Sequence, residues 1–179
     1  GLISTSFDYF KFLQMLLNGG TYNGNRILSR KTIELMTMNH LPNNKNMSDM
    51  GSTGSFSEVR YQGTGYGLSM AVTTDPAASQ SPLSIGSFNW GGMASTYFWV
   101  DPKEELLAIF MTQFIPSDAF PLRPQMQNYG VWFFFRLIKF IKKEVFIHFS
   151  IIDLKFSSLN IGISIKSILI ISSNFSNSQ

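Results

Sequence analysis

A chain of 179 residues, 44% hydrophobic and 14% charged, has the length and composition of one globular domain with a substantial core. The absence of cysteine excludes disulfides and thiolate metal sites. The only two histidines, His40 and His148, do not have metal-ligand spacing, and we predict neither a metal nor a cofactor. The formal net charge of +3 comes with no nucleic-acid-binding motif, and we predict no nucleic-acid partner.

Charge and composition both change near residue 130. Residues 1–130 contain eight Lys or Arg and nine Asp or Glu, whereas residues 131–179 contain six basic and two acidic residues. Every proline and alanine precedes residue 130, and 28 of the last 49 residues are Ile, Phe or Ser. We therefore predict two segments, residues 1–128 and a divergent tail at 129–179.

The first predicted element is an amphipathic helix. Thr5 is the predicted N-cap, and Asp8 stands three residues later in the position of a capping box. Apolar residues then recur with helical spacing, at Tyr9, Phe12, Leu13, Leu16 and Leu17. Gly19-Gly20 is predicted to end the helix, because glycine accepts the left-handed cap conformation.

A turn at Asn23-Gly24 leads to a second predicted helix, which is capped by Ser29 and runs to about Met38. Its predicted buried face consists of Leu28, Ile33 and Met36. The polar segment 43–65 that follows has two interpretations, a loop over a site or a surface connection, and the second is the more common.

An antiparallel meander of four strands is predicted next. The first covers residues 66–73, with Leu68, Met70 and Val72 on one face, and the second ends at Trp90. The third places Thr96, Phe98 and Val100 on one face and Tyr97 and Trp99 on the other. After a tight turn at Asp101-Pro102, residues 106–112 form an apolar strand typical of one covered on both faces. Two helices followed by such a meander predict an α+β fold, an antiparallel sheet flanked by helices.

The stretch between the second and third strands contains the candidate site. Two adjacent glycines follow Trp90 in a run otherwise rich in aromatic residues, and they indicate a close approach of another backbone, a bulge or a ligand. From the local pattern alone, a plain bulge or turn at Gly91-Gly92 is the more common explanation.

Five segments of the chain, in order, carry a family resemblance over about residues 1–128. They are the helix ending in Gly19-Gly20, Ile27-Leu-Ser-Arg-Lys-Thr-Ile-Glu-Leu-Met36, Gly65-Tyr-Gly-Leu68, Trp90-Gly-Gly92 and Ser95-Thr-Tyr-Phe-Trp-Val-Asp-Pro102. Together they resemble the C-terminal half of a serine hydrolase of the family that contains class C β-lactamases, penicillin-binding DD-peptidases and β-lactamase-like carboxylesterases. The resemblance implies a partial β-lactamase/transpeptidase-like fold.

The resemblance also implies roles for the candidate site residues. Trp90, Gly91 and Gly92 occupy the third motif of the esterase-like branch, so the backbone N–H of Met93 is expected to be one oxyanion-hole donor. The glycines are expected to leave room for the acyl group, and Trp90 to form an apolar wall. Because position 90 is not lysine, the expected substrate is a small neutral ester or amide.

The other motifs of the family are missing from this sequence. No lysine follows a serine by three positions, and no tyrosine has Asn or Ser two positions later. Two classes of function therefore stay open. The chain is either a fragment of a serine hydrolase, inactive alone and binding a substrate only when completed by an N-terminal half, or a non-catalytic gene remnant or binding module. Since residue 1 is not methionine, we expect coding sequence upstream.

Residues 129–179 have three interpretations. They form a membrane-surface helix, an added helix or strand of the fold, or translated non-coding sequence, and the third best explains the abrupt change in composition. The apolar run at 161–171 is too short and too charged to span a bilayer, so we predict no transmembrane segment. Without its missing half, the sheet is expected to expose Trp90, Tyr97, Trp99 and residues 106–111 as a large apolar patch.

Overall fold

The computed structural model describes residues 3–50, 62–115, 117, 121–138, 147–149 and 168–173. The helices are α1 (Ser6–Leu17), α2 (Arg30–Met36), the short α3 (Met47–Met50) and α4 (Pro76–Ser79), and α5 (Leu122–Ile138). The strands are β1 (Thr21–Tyr22), β2 (Asn25–Arg26), β3 (Thr64–Tyr66), β4 (Ala71–Thr73), β5 (Phe88–Gly91), β6 (Tyr97–Asp101), β7 (Leu106–Met111), β8 (Ile147–Phe149) and β9 (Ile168–Ser173). The predicted segment 43–65 lies partly outside the described residues.

Both ends of α1 form as the sequence predicts. The Asp8 N–H donates to Thr5 Oγ1 at 3.1 Å, and the Thr5 hydroxyl donates to the Asp8 carboxylate at 2.9 Å. At the other end, Gly19 and Gly20 have positive φ, and the Gly20 N–H donates to the Met15 carbonyl at 2.8 Å. This is a Schellman cap, in which the two glycines supply the left-handed backbone.

The buried face of α1 differs from the predicted stripe at Phe12. Phe12 is 42% exposed, whereas Met15 is 4% exposed and belongs to the core. Leu13 and Leu16 are buried as predicted, and Tyr9 and Leu17 are partly buried against them. The buried face of α1 therefore includes Met15 instead of Phe12.

The segment between α1 and α2 is a small β-hairpin. Asn23 and Gly24 both have positive φ and join β1 to β2, the geometry for which an Asn-Gly turn is suited. Ser29 caps α2 as predicted by accepting the Thr32 N–H at 2.9 Å. The helix ends at Met36, about two residues earlier than predicted.

The main sheet has the strand order β3-β4-β5-β6-β7-β9-β8, with every neighbouring pair antiparallel. The single strand predicted over 66–73 is wrong: this region is the hairpin β3–β4. Ser69 adopts φ +72, which breaks the extended backbone, and Leu68 at the tip is exposed. The rest of the predicted meander is confirmed, and with it the α+β class.

Side chains of β6 and β7 alternate between two cores. The core on the α1 side contains Phe98, Val100, Leu107 and Ile109, packed against Leu13, Met15 and Leu16. The core on the α5 side contains Tyr97, Trp99, Leu106, Ala108 and Phe110, packed against Leu122 and Met126. Both faces of these strands are therefore buried, as the apolar run predicts. The expected exposed patch is wrong for Tyr97, Trp99 and residues 106–110, because α1 and α5 cover them, and Trp90 is half-buried.

Three described parts of the tail belong to this framework: the end of α5, β9 and the edge strand β8. Helix α5 starts at Leu122 and continues past residue 128, and β9 pairs with β7 from Leu106 opposite Ser173 to Met111 opposite Ile168. In the part of the chain that the structure describes, no helix has both the length and the apolar character to cross a membrane. The origin of the tail, coding or non-coding, stays a prediction.

The turn between β6 and β7 is organised by a buried carboxylate. Asp101 is 1% exposed, and its Oδ1 accepts the N–H groups of Lys103 and Glu104 at 3.1 and 3.3 Å. Its Oδ2 accepts the Ser84 N–H at 2.7 Å, which ties the turn to the segment before β5. One side chain thus satisfies three backbone donors at this end of the sheet.

We expect Thr5→Ala to lower the free energy of unfolding by about 1 kcal/mol, because the N-cap acceptor of α1 is lost. Ser4→Ala is the matched control, since the Ser4 hydroxyl only approaches the Thr5 carbonyl, at 3.4 Å. Chemical denaturation of both variants measures the difference. An unchanged midpoint for Thr5→Ala would contradict the assigned helix start.

We expect Asp101→Ala to cost about 2–4 kcal/mol, because it removes a buried carboxylate that accepts the N–H groups of Ser84, Lys103 and Glu104. Asp75→Ala is the comparison, since Asp75 is an exposed cap that accepts the N–H groups of Ala77 and Ala78. That variant should lose only about 1 kcal/mol. Equal losses in the two denaturation curves would show that burial of Asp101 has no energetic consequence.

Candidate functional site

The stretch that contains the candidate residues forms the end of β5 and the turn that follows. Trp90 and Gly91 are the last residues of β5, and residues 92–95 form the turn into β6. The Gly92 carbonyl accepts the Ser95 N–H at 3.0 Å, and the Gly92 N–H donates to the Thr96 carbonyl at 2.8 Å. The pair of glycines therefore lies at a β-hairpin connection within the main sheet.

Among the described residues, one side of β5 has no paired strand at this point. Strand β4 pairs with β5 only through Ala71 opposite Asn89 and Val72 opposite Phe88, whereas β6 continues to pair as far as Gly91. Trp90 lies just beyond the last β4 partner and packs partly against the α1-side core. Its indole makes an edge contact with the Tyr66 ring, with centroids 5.2 Å apart. The open edge of β5 is thus bordered by two aromatic rings.

Side chains of this chain fill the space beside both glycines. A Cβ on Gly91 would lie 2.6 Å from Arg123 Nη2, 2.7 Å from Arg123 Cζ and 2.8 Å from the Thr96 carbonyl oxygen. A Cβ on Gly92 would lie 2.5 Å from Thr96 Oγ1. The close approach predicted from the paired glycines is real, but the approaching groups belong to the chain. On this side of the turn, neither glycine leaves an empty space.

Arg123, in the first turn of α5, is a site residue that the sequence analysis missed. Arg123 is 7% exposed, its Nη2 donates to the Gly92 carbonyl at 3.0 Å, and its Cζ lies 5.7 Å from the centroid of the Tyr97 ring. Burial lowers its pKa to about 10, so it remains a cation at neutral pH. No sequence signal identifies it, because nothing in a segment with three prolines indicates that a lone arginine is buried.

Two backbone N–H groups of the turn, those of Met93 and Ala94, donate to no acceptor among the described residues. The Met93 side chain is 75% exposed, and among the described residues no atom accepts a hydrogen bond from the Met93 N–H. Its neighbours in the turn are held: the Ser95 hydroxyl donates to the Phe114 carbonyl at 2.7 Å, and the Phe114 N–H donates to the Ala94 carbonyl at 3.0 Å. A donor on a fixed turn is the kind of group that binds a developing negative charge.

The hydroxyl groups nearest the turn do not provide a nucleophile. Ser95 is buried with its hydroxyl committed to Phe114, and Thr96 lies over Gly92. Tyr97 is also buried, with its hydroxyl hydrogen-bonded to the Gln127 amide, and burial raises its pKa well above the usual value. Among the described residues, the turn thus has a backbone N–H donor and the neighbouring rings of Trp90 and Tyr66, but no hydroxyl available as a nucleophile.

We expect Gly91→Ala to destabilise the chain by about 1–3 kcal/mol, because the new methyl group overlaps the Arg123 guanidinium and the Thr96 carbonyl. In an Arg123→Met background the loss should be smaller, since a flexible thioether can move aside. A double-mutant cycle of denaturation midpoints measures this coupling. Additive losses would contradict the packing of Arg123 on Gly91.

Comparisons with known proteins show the family of this chain. The family model described as Beta-lactamase matches residues 1–127. Protein Rv1367c and Uncharacterized protein MT1414, from two strains of Mycobacterium tuberculosis, are each 36% identical to this chain over 121 residues. These matches cover 65% of this chain and 29% of each relative, so the chain spans less than a third of the length of those relatives.

Among solved structures, the chain is similar to EstCE1, described as a hydrolase with promiscuous acyltransferase activity. The similarity has 25% sequence identity and a TM-score of 0.41, and it covers 56% of this chain and 22% of EstCE1. The family model alone spans well over half of the 179 residues. The chain therefore belongs to the beta-lactamase family, as the order of its five segments predicts.

Proposed function

We propose that this chain supplies one wall of the active site of a serine hydrolase that cleaves ester or amide bonds through an acyl-enzyme. The observation that carries the proposal is the outward Met93 N–H, which has no acceptor among the described residues and follows directly on Trp90-Gly91-Gly92. In this family that position follows the third motif of the active site. Membership of the family and the geometry of the turn support the same assignment.

The role of the Met93 N–H is to stabilise charge on the substrate oxygen. When a serine attacks an acyl carbonyl, its oxygen becomes negative, and a preorganised N–H donor within about 3 Å lowers the barrier by about 3 kcal/mol. The second donor, the nucleophile and the proton-accepting lysine are all expected from a preceding segment, because no S-x-x-K or Y-x-N/S motif occurs in these 179 residues. The chain alone is therefore proposed to be inactive.

The surroundings of the turn favour an uncharged substrate. Position 90 carries an indole, and the ring beside it is Tyr66. Arg123, a cation beside the turn, is buried and donates to the Gly92 carbonyl on the other side of that peptide. A small neutral ester or amide fits these groups better than a substrate recognised through a carboxylate.

A non-catalytic role is the second candidate. It is favoured by the filled space beside Gly91 and Gly92 and by the missing catalytic motifs. The coding sequence upstream of Gly1 distinguishes the two. An S-x-x-K and a Y-x-N or Y-x-S segment in frame would establish the hydrolase, and a stop codon directly upstream would favour a remnant or a binding module.

We expect the isolated chain neither to hydrolyse p-nitrophenyl butyrate or nitrocefin nor to react with a fluorophosphonate probe. The reason is that no activated serine is present in the sequence. Initial-rate assays and mass spectrometry of the intact protein after probe treatment provide the measurements. Stoichiometric labelling would overturn the proposal that the nucleophilic serine lies in a preceding segment.

We expect Met93→Pro, in a longer polypeptide that carries the serine, lysine and tyrosine motifs ahead of Gly1, to lower kcat by about 10²–10³-fold. Proline removes the N–H but suits this second position of a β-turn, so the turn itself should persist. Met93→Ala keeps the N–H and is the matched comparison. If both variants lose the same activity, the N–H is not the oxyanion donor.

A further inference from the structure

We propose that Arg123 is a positioning residue that fixes the orientation of the Gly92–Met93 peptide and thereby aims the Met93 N–H. This inference rests on the proposed function only for the use made of that N–H. The orientation itself is a property of the chain and can be measured without any catalytic reaction.

The argument begins with the peptide bond. The Gly92 carbonyl and the Met93 N–H belong to one planar trans unit, in which the C=O and N–H bonds point in opposite directions. Arg123 Nη2 donates to that carbonyl at 3.0 Å. Since the carbonyl is directed at α5, the N–H of the same unit is directed away from it. A donor that holds the oxygen therefore also sets the direction of the N–H.

Two donors hold this oxygen, and they come from different elements. The Ser95 N–H, at 3.0 Å, belongs to the turn and moves with it. Arg123 belongs to α5, so its hydrogen bond anchors the turn to the rest of the domain. Hydrogen bonds from a cation are stronger than neutral ones, and in a chain of hydrogen bonds each polarises the next. Arg123 should therefore also make the Met93 N–H a better donor.

The guanidinium is itself held in place. It lies against the Tyr97 ring and directly over Gly91, where any side chain would displace it. The Tyr97 hydroxyl is hydrogen-bonded to Gln127, one helical turn further along α5. The position of the guanidinium is therefore fixed by Gly91 and Tyr97, and Tyr97 is held by Gln127. The guanidinium leaves no room for a side chain at position 91, which explains the glycine there.

The competing explanation is that Arg123 only fills space in the α5-side core. Arg123→Met separates the two explanations, because methionine keeps an unbranched apolar stem and removes the donors. Arg123→Lys keeps one cationic donor on a flexible stem. Arg26→Met is the matched control, since Arg26 also donates to backbone carbonyls, those of Gly19 and Leu28 at 3.3 and 3.2 Å, but lies on the β1–β2 hairpin.

The test is NMR of the ¹⁵N-labelled 179-residue chain and these three variants. In the wild type the Met93 amide should have the order parameter of a rigid backbone, about 0.85. In Arg123→Met it should fall to about 0.6 or less, with an upfield shift of the Met93 ¹⁵N resonance. Arg123→Lys should give intermediate values, and Arg26→Met should leave the Met93 resonance in place.

An unchanged Met93 order parameter and shift in Arg123→Met, with the Trp99 and Ala108 amides still reporting a folded sheet, would overturn the proposal. If Arg123→Met does not fold, Arg123→Lys decides: a Met93 order parameter below that of the wild type, in a folded sheet, would support positioning by the guanidinium, and wild-type values would oppose it. The two proposals can also be separated. If the Met93 order parameter falls in Arg123→Met but Met93→Pro leaves kcat of the longer enzyme unchanged, Arg123 positions the peptide and the proposed oxyanion role of the Met93 N–H is rejected.

Discussion

The alternation of side chains along β6 and β7 is the constraint on which the rest of the structure depends. Successive residues of a strand point to opposite faces of the sheet. The same two strands therefore contribute to a core against α1 on one face and to a core against α5 on the other. A shift of one residue in the register would move Trp99 and Phe98 to the wrong faces. The α5-side core places Leu122 and Met126, and α5 then brings Arg123 to the site.

The two ends of β6 are fixed by different means. At its C-terminal end, the buried Asp101 carboxylate satisfies backbone donors directly and joins the turn to Ser84. At its N-terminal end, the turn at 92–95 presents a carbonyl to a buried cation, and its Met93 N–H has no acceptor in the described part of the chain. The first end serves stability alone. The second combines stability with the backbone donor on which the proposed function rests.

Local chemistry made much of the fold predictable. The helix caps and turns depend on contacts within a few residues, as at Thr5, Ser29, Gly19-Gly20 and Asn23-Gly24. The alternation of side chains over residues 97–100 predicts which of them lie on each face of the strand. The hairpin β3–β4 was missed because a non-glycine residue, Ser69, adopts positive φ, which no pattern in the sequence signals. The helical spacing of apolar residues predicts Phe12 on the buried face, but the packing of α1 buries Met15 instead. Gly91 and Gly92 were recognised as a close contact, but their partner Arg123 lies 31 residues away in sequence from Gly92.

The presence of a cation at position 123 is itself informative. Burial disfavours its charged form, as the lowered pKa of about 10 shows. A methionine would fill a similar volume beside Tyr97 without that desolvation cost, and replacing buried ionic groups by apolar ones is often neutral or stabilising. Packing therefore does not account for a guanidinium at this position. The hydrogen bond to the Gly92 carbonyl is a contact that requires a donor, and it acts on the peptide whose N–H faces the proposed substrate.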